Sequence, residues 1–478
     1  MRNSDAFAWS MEHDPTLRST VVTIIMLDRS PDWDIVLDRF ERMSRVIPMF
    51  RERVVETRPP VPPRWELDPD FDLRYHMRRV TAPEPGTLDT VIEMARRAEM
   101  AEFDRARPLW EVTLVDGLVD GGAALLCKLH HSLTDGIGGV QIAMLLFDVT
   151  EQPQDLGPLP PEPTPEPSSP MKDVRYSIGY DAKLVSKLAR GAVRGAPAAL
   201  LASIRHPRAT AAGAVGTAAS VYRTVRPINH TGSPLMKDRR LVRELGVHEV
   251  PMPALREAAH LAGGTLNDAF LAGVTGALRR YHEYHGVEVG DLHVTMPVSI
   301  RSDGDPVGGN RITLMRFDLP VGVADPAERI RQIHPRAGLV RTERSLPYTQ
   351  MIAGGLNLLP RWYIGAVLRH VDFLASDVPG VPVPVYCGGA AVKMQYAFGP
   401  TIGAAVNVTL MTYVDTCALG INVDTGAIPD FDVFHECLVA GFDEVLALAS
   451  PAVSAAPAPR RRGGSPAKSA RRARARTK

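Results

Sequence analysis

The sequence predicts a mixed α/β (α+β) protein of two halves of comparable size joined by a proline-rich bridge. Three observations carry that reading. Short β-branched apolar runs alternate with helically spaced segments both before residue 150 and after residue 250, so each half has strands and helices of its own. Residues 152–170 hold eight prolines in nineteen positions, a stiff extended connector that cannot build a core. The chain of 478 residues is 45% hydrophobic and 23% charged, enough apolar material for two or three domains at roughly 150 residues each.

In the first half, TVVTIIML from Thr20 to Leu27 reads as a buried strand, and residues 32–45 place Ile35, Val36, Phe40 and Met43 at helical spacing. Further strands are expected at 73–79, 110–114 and 123–131, with a helix at 88–101. Past the bridge, residues 171–222 are rich in Ala, Gly, Lys and Arg and are interrupted by Pro197 and Pro207. They read as a helical crossover packed on the next domain, with a segment lying on an anionic membrane surface as the other reading.

The second half repeats the mixed character. Residues 250–262 and 265–281 read as two helices, the first stopped by Gly263-Gly264 and the second opened by a Thr265-x-x-Asp268 capping box. Strands follow at 292–299, 312–319, 383–386, 404–413 and 417–424, and helices at 327–333, 348–369 and 432–448. The uncharged run 394–414 has transmembrane length, but Gly399, Pro400 and Gly403 break it, so two buried strands joined by a turn are expected. The domain reading is 1–151, a linker and crossover at 152–235, a second domain at 236–450 and a disordered basic tail at 451–478.

The formal net charge is +1, yet residues 460–478 carry nine basic and no acidic side chains, which leaves the rest of the chain at −8. A mildly acidic body argues against a nucleic-acid-binding face. The four cysteines, Cys127, Cys387, Cys417 and Cys437, form no C-x-x-C pair, so neither a zinc ribbon nor a disulfide framework is readable and a reducing compartment fits. The first residues lack a basic start followed by an apolar stretch, so no secretory signal is expected. The expectation is a cytoplasmic protein that touches a membrane without crossing one.

The sharpest local signal is ALLCKLHHSLTDGIGG at the end of the 123–131 strand. Alternation puts Leu125, Cys127, Leu129 and His131 on one face and Leu126, Lys128 and His130 on the other, so the adjacent histidines diverge. His131, on the apolar face, is the candidate general base; an imidazole with a pKa of roughly 6.5 suits removal of a hydroxyl proton at neutral pH. Asp135 can organise the strand end, and Gly136, Gly138 and Gly139 let backbone approach a ligand. Taken alone, a His-His pair is also a structural feature or half of a metal site. No third His or Cys lies at ligand spacing beside it, so no metal is expected.

HHSLTDG, from His130 to Gly136, resembles the HHxxxDG motif of acyltransferases with the chloramphenicol-acetyltransferase-like fold, shared with the condensation domains of peptide synthetases. Further blocks resemble the bacterial wax ester synthase/diacylglycerol acyltransferase family: WELDPDFDLRYHMRRV, FDRARPLWE with Pro108-Leu109-Trp110, Asn267-Asp268, PVSIR ending at Arg301, and SDVPG from Ser376 to Gly380. The resemblance implies two chloramphenicol-acetyltransferase-like domains, each a mixed sheet flanked by helices, with the active site at their interface. It implies His131 as the general base beside His130 and Gly136, with Asp135 a structural partner. Acyl-CoA would be a co-substrate with no cofactor, and the acceptor diacylglycerol or a fatty alcohol at a membrane or lipid-droplet surface.

Other residues carry two readings each. Asn267 and Asp268 help form the site by resemblance, whereas helix capping alone accounts for Asp268. Pro108, Leu109 and Trp110 shape the acyl pocket or anchor a strand. Arg301 meets a coenzyme A phosphate or makes a structural salt bridge. Asp377 stands where the family commonly has Asn, which bears on acceptor recognition or local packing. The alternatives to a diacylglycerol acyltransferase are a related enzyme with a different alcohol acceptor, or a lipid-binding protein with an inactive scaffold.

Overall fold

A computed structural model describes residues 1–57, 61–164, 230–301, 308–341, 346 and 349–449. The amphipathic segment predicted in 171–222 and the basic tail lie outside the described residues.

The first sheet contains β1 (Thr20–Leu27), β4 (Met77–Thr81), β5 (Trp110–Asp116) and β6 (Ala123–His130), beside a small hairpin of β2 (Glu52–Val55) and β3 (Arg64–Leu67). The second contains β7 (Arg243–Pro251), β8 (Asp291–Ser299), β9 (Ile312–Pro320), β10 (Phe373–Val378), β13 (Val406–Tyr413) and β14 (Thr416–Asp424). Two strands from the second half, β11 (Tyr386–Cys387) and β12 (Ala390–Phe398), cross over and complete the first sheet, whose order is β11-β12-β1-β6-β5-β4. The second sheet runs β7-β14-β13-β10-β8-β9. Both are mixed: β4 and β5 are parallel in the first, and β10 is parallel to β8 and β13 in the second.

The helices follow from local chemistry. Helix α2 (Trp33–Val46) is capped by Asp32, which accepts from Asp34 N (3.0 Å) and Ile35 N (3.3 Å), and it buries Val36, Phe40 and Met43 on one face. Helix α4 (Leu88–Met100) presses Val91 and Ala95 into a core made of both sheets, with Ile24, Leu126, Leu245 and Phe398. Helix α5 (Gly136–Leu146) lies beside α2 over the first sheet. In the second half, α6 (Met252–Leu261), α7 (Leu266–Tyr284) and α11 (Phe431–Leu446) cover the second sheet around Phe270, Leu278, Phe434 and Phe442. The N-terminal helix α1 (Asn3–Met11) packs Ala8 and Met11 against Ile364 and Leu368 of the second half.

Several expectations change. The predicted strand at 73–79 begins as a helical turn, α3 (Leu73–His76), because Asp72 accepts from Arg74 N (2.9 Å) and starts a helix before β4. The predicted helix at 250–262 gives its first residues to β7, which pairs with β14 as far as Pro251. The predicted helix at 348–369 is two helices, α9 (Thr349–Leu356) and α10 (Arg361–Leu368), separated at Pro360, while α8 (Pro326–Arg341) extends well past its expected end. The run 394–414 holds two buried strands, as expected, but β12 and β13 belong to different sheets. Domain 236–450 is therefore no closed unit: its residues 386–398 finish the other half's sheet.

Candidate active site

β6 delivers the two histidines to an edge between the halves. His131 N donates to Ser19 O (2.8 Å) and His130 N to Leu109 O (3.0 Å), so neighbouring chain segments grip the strand end. Both rings line the first cavity, but they keep different company. His130 is fully buried. Ser132 N donates to its Nδ1 (3.1 Å), which makes Nδ1 an acceptor and leaves Nε2 to donate to Glu12 Oε2 (3.2 Å). The same Glu12 oxygen accepts from Ser19 N (3.1 Å). Burial alone would raise the Glu12 carboxyl; the hydrogen bonds from His130 and from Ser19 N outweigh it and hold Glu12 below the usual carboxylate value.

His131 is half-buried, and it forms part of the wall of two cavities. The first encloses about 1530 Å³ including its mouth, between the face of the first sheet and helices α2 and α5, with Phe40, Met43, Trp110 and Ile142 among its walls. The second, about 1100 Å³, lies under α1, α9 and α10 and is lined by Phe7, Met11, Ile352 and Leu374. Ser376 and Gly399 belong to both. Nδ1 of His131 is shut from solvent. Burial pushes this imidazole below its usual pKa, against the opposing pull of its own backbone, of Thr134 and of the Asp135 charge.

Asp135 is the N-cap of α5 and a brace between the halves. Its Oδ1 accepts from Gly138 N (2.7 Å), and its Oδ2 from Arg311 N (2.8 Å) and Arg301 Nη2 (3.0 Å). Arg301 also donates to Gly309 O (2.9 Å). Its placement in the substrate-binding set is therefore corrected: the guanidinium, 5% exposed, is turned to Asp135 and backbone carbonyls, and Arg301 lines neither cavity. Gly136 has a steric reason, since a Cβ there would meet Val378 Cγ2 at 2.9 Å where the helix start closes on the end of β10.

Asn267 and Asp268 are not brought to His131; neither lines either cavity. Asp268 accepts from Thr265 N (2.8 Å) and from His334 Nδ1 (2.7 Å), so it caps α7 and ties it to α8. Of the Pro108-Leu109-Trp110 block, only Trp110 lines a cavity. It is held by Nε1 donating to Phe50 O (2.8 Å) and by stacking on His76 (4.6 Å between centroids), while Leu109 is core and contributes its carbonyl to His130. Asp377 lines the first cavity, next to Ser376. Glu12, Ser19 and Gln395 escaped the sequence reading, because nothing in local spacing links residue 12 to residue 130 or residue 395 to either.

The two-sheet scaffold sets one histidine in the wall shared by two apolar cavities, beside a buried Asp-Arg pair that joins the halves. The family model described as the wax ester synthase/diacylglycerol acyltransferase catalytic domain matches residues 1–270, and that of the WS/DGAT C-terminal domain matches residues 308–445. The chain belongs to the wax ester synthase/diacylglycerol acyltransferase family. A Mycobacterium tuberculosis protein named as a diacylglycerol O-acyltransferase is 37% identical over 455 residues, covering 94% of this chain and 91% of the relative. A second from the same organism, similarly named, is 29% identical over 447 residues, with 87% and 92% covered. Among solved structures, the wax ester synthase/diacylglycerol acyltransferase of Marinobacter aquaeolei superposes with a TM-score of 0.61 at 21% identity over 93% of this chain and 98% of that one. The first condensation domain of the calcium-dependent antibiotic synthetase does so at 0.60 and 16%, over 94% and 96%. At these identities the structural likeness speaks for the fold.

Proposed function

We propose that this chain transfers a long-chain acyl group from acyl-CoA to the free hydroxyl of diacylglycerol, and to fatty alcohols as a second acceptor class. The observation that carries the reading is the place of His131 in the wall shared by two apolar cavities. The first cavity, walled by Phe40, Met43 and Trp110, takes the acyl chain; the second takes the acceptor. With Nδ1 sequestered, Nε2 is the working nitrogen. It removes the hydroxyl proton as the acceptor oxygen attacks the thioester carbonyl, and it returns that proton to the departing thiolate when the tetrahedral intermediate collapses. One base serves both half-steps, so no acyl-enzyme is needed; such a base supplies on the order of 10²–10⁴-fold in rate.

The reaction is placed at a lipid surface. Among the described residues no helix is long and apolar enough to cross a membrane. Met351, Leu358 and Leu359 are exposed on and just after α9, the helix whose Ile352 and Leu356 line the acceptor cavity, which supports entry of a water-insoluble acceptor from that side. Labelled palmitoyl-CoA and diolein should give triacylglycerol, and His131→Ala should abolish it. Equal product from the variant would remove the base. Turnover only with other alcohols would replace the acceptor.

A further inference from the structure

The floor of the first cavity is a strip of sheet whose depth can be counted in residues. Ser19 lies opposite His131, and beyond it Val21, Thr23 and Ile25 of β1 face the cavity at successive depths. Gln395 of β12 is the register partner of Ile25 and also lines the cavity. The next pair along the strip, Leu27 and Val392, does not, so Gln395 stands at the end of the strip farthest from His131. Ser19 and Ile25 are six strand positions apart, about 20 Å at roughly 3.3 Å per residue. An extended acyl chain gains about 1.3 Å per carbon from C–C bonds of roughly 1.5 Å, so on the order of sixteen carbons cover that depth.

Gln395 is 5% exposed, and its Nε2 is buried with no hydrogen-bond partner among the described residues. A buried amide donor left unpaired is rare in a folded protein and calls for a reason. Gln395 lines the cavity beside Ile25, so its amide is the polar group that an occupant of that end meets.

We propose that Gln395 is a polar stop that reads the far end of the acyl chain. A plain methylene segment pushed against it strips the amide of water and returns no hydrogen bond, so saturated chains beyond about sixteen carbons are disfavoured. A chain bearing a hydroxyl or keto oxygen at that depth satisfies the amide and is favoured. Sites built to pair a polar group discriminate strongly against ligands that leave it unpaired. The inference rests on the first cavity holding the acyl chain.

The test compares octanoyl-, palmitoyl-, arachidoyl- and 16-hydroxyhexadecanoyl-CoA with diolein, in wild type and Gln395→Leu. Relative to wild type, the leucine variant should raise the arachidoyl-to-octanoyl ratio of kcat/KM about tenfold, by removing one unpaired polar group. It should lower the 16-hydroxyhexadecanoyl-to-palmitoyl ratio by a similar factor. If both ratios match wild type, Gln395 reads nothing. Gln395→Met, an unbranched apolar replacement, gives the same readout should the leucine variant not fold. Absence of turnover with every donor in wild type would instead overturn the acyltransferase reading itself.

Discussion

Replacing Asp135 by alanine separates a brace from a catalyst. The Asp135 and Arg301 side chains are 1% and 5% exposed, so the variant takes the Asp135 carboxylate from a buried guanidinium and strips the acceptor from Gly138 N and Arg311 N. Breaking one side of such a pair costs about 3–5 kcal/mol, and a lost N-cap about 1 kcal/mol. The contributions share one carboxylate and do not add fully, so roughly 5 kcal/mol is expected. Unfolding entropy of about 2.1 cal/mol/K per residue over roughly 400 residues gives about 0.8 kcal/mol/K, hence a fall in Tm of roughly 6 °C if the halves melt together. Asp135→Leu combined with Arg301→Met should recover much of it, because a buried ion pair replaced on both sides by apolar groups is often near neutral. Thermal melts followed by circular dichroism, with the four-way cycle, give the answer. A dead Asp135→Ala enzyme with an unchanged Tm would refute the brace and move Asp135 into the chemistry.

The acid limb of the kcat/KM profile should fall at a midpoint below the ordinary imidazole value of roughly 6.5, because the base must be neutral and burial lowers the pKa of His131; a midpoint above that value contradicts the assignment. Glu12→Gln should lower kcat about tenfold through misplacement of the strand end, leave KM for acyl-CoA nearly unchanged, and change Tm little; a KM effect alone would place Glu12 in binding instead. Gly380→Ala should abolish soluble expression, since a Cβ there would run into the Thr412 carbonyl, and normal yield would show that the loop has slack. Residues 1–164 expressed alone should aggregate, because without β12 the apolar β1 becomes an open edge, while co-expression with residues 230–478 should restore solubility, as read by size exclusion. A monomeric first piece would overturn that account.

Much of this molecule could be read from periodicity. β1 occupies the residues its β-branched run predicts, and β6 ends at His130, one residue short of its expected end. Local patterns failed wherever a partner far along the chain decides. Residues 373–378 became a central strand only because β8 and β13 flank them. The crossing of β12 into the first sheet is invisible in a sequence whose run 394–414 looks like one hairpin. The site divides in the same way. His131, Asp135 and Gly136 announce themselves in seven consecutive letters, and Trp110 through its block. Of the residues assigned to substrate, Asp268 bonds to Thr265 and His334 and Arg301 to Asp135, while Asn267 lines neither cavity. Glu12 carries no local signal at all, since its meaning arises only where α1 brings it under His130.

The crossing strand, the Asp135-Arg301 pair and the N-terminal helix bear on one point from three directions. β12 lends the first cavity Gln395 and Ala397, so that cavity is finished by the second half. α1 lends the second cavity Phe7 and Met11, so that cavity is finished by the first half. Between them, Arg301 of the second half fixes Asp135, four residues past His131. Neither half contains a whole cavity, and the imidazole of His131 borders both, together with Ser376 and Gly399. That exchange suits the direct transfer proposed above: each cavity is walled by both halves, and the two meet at His131.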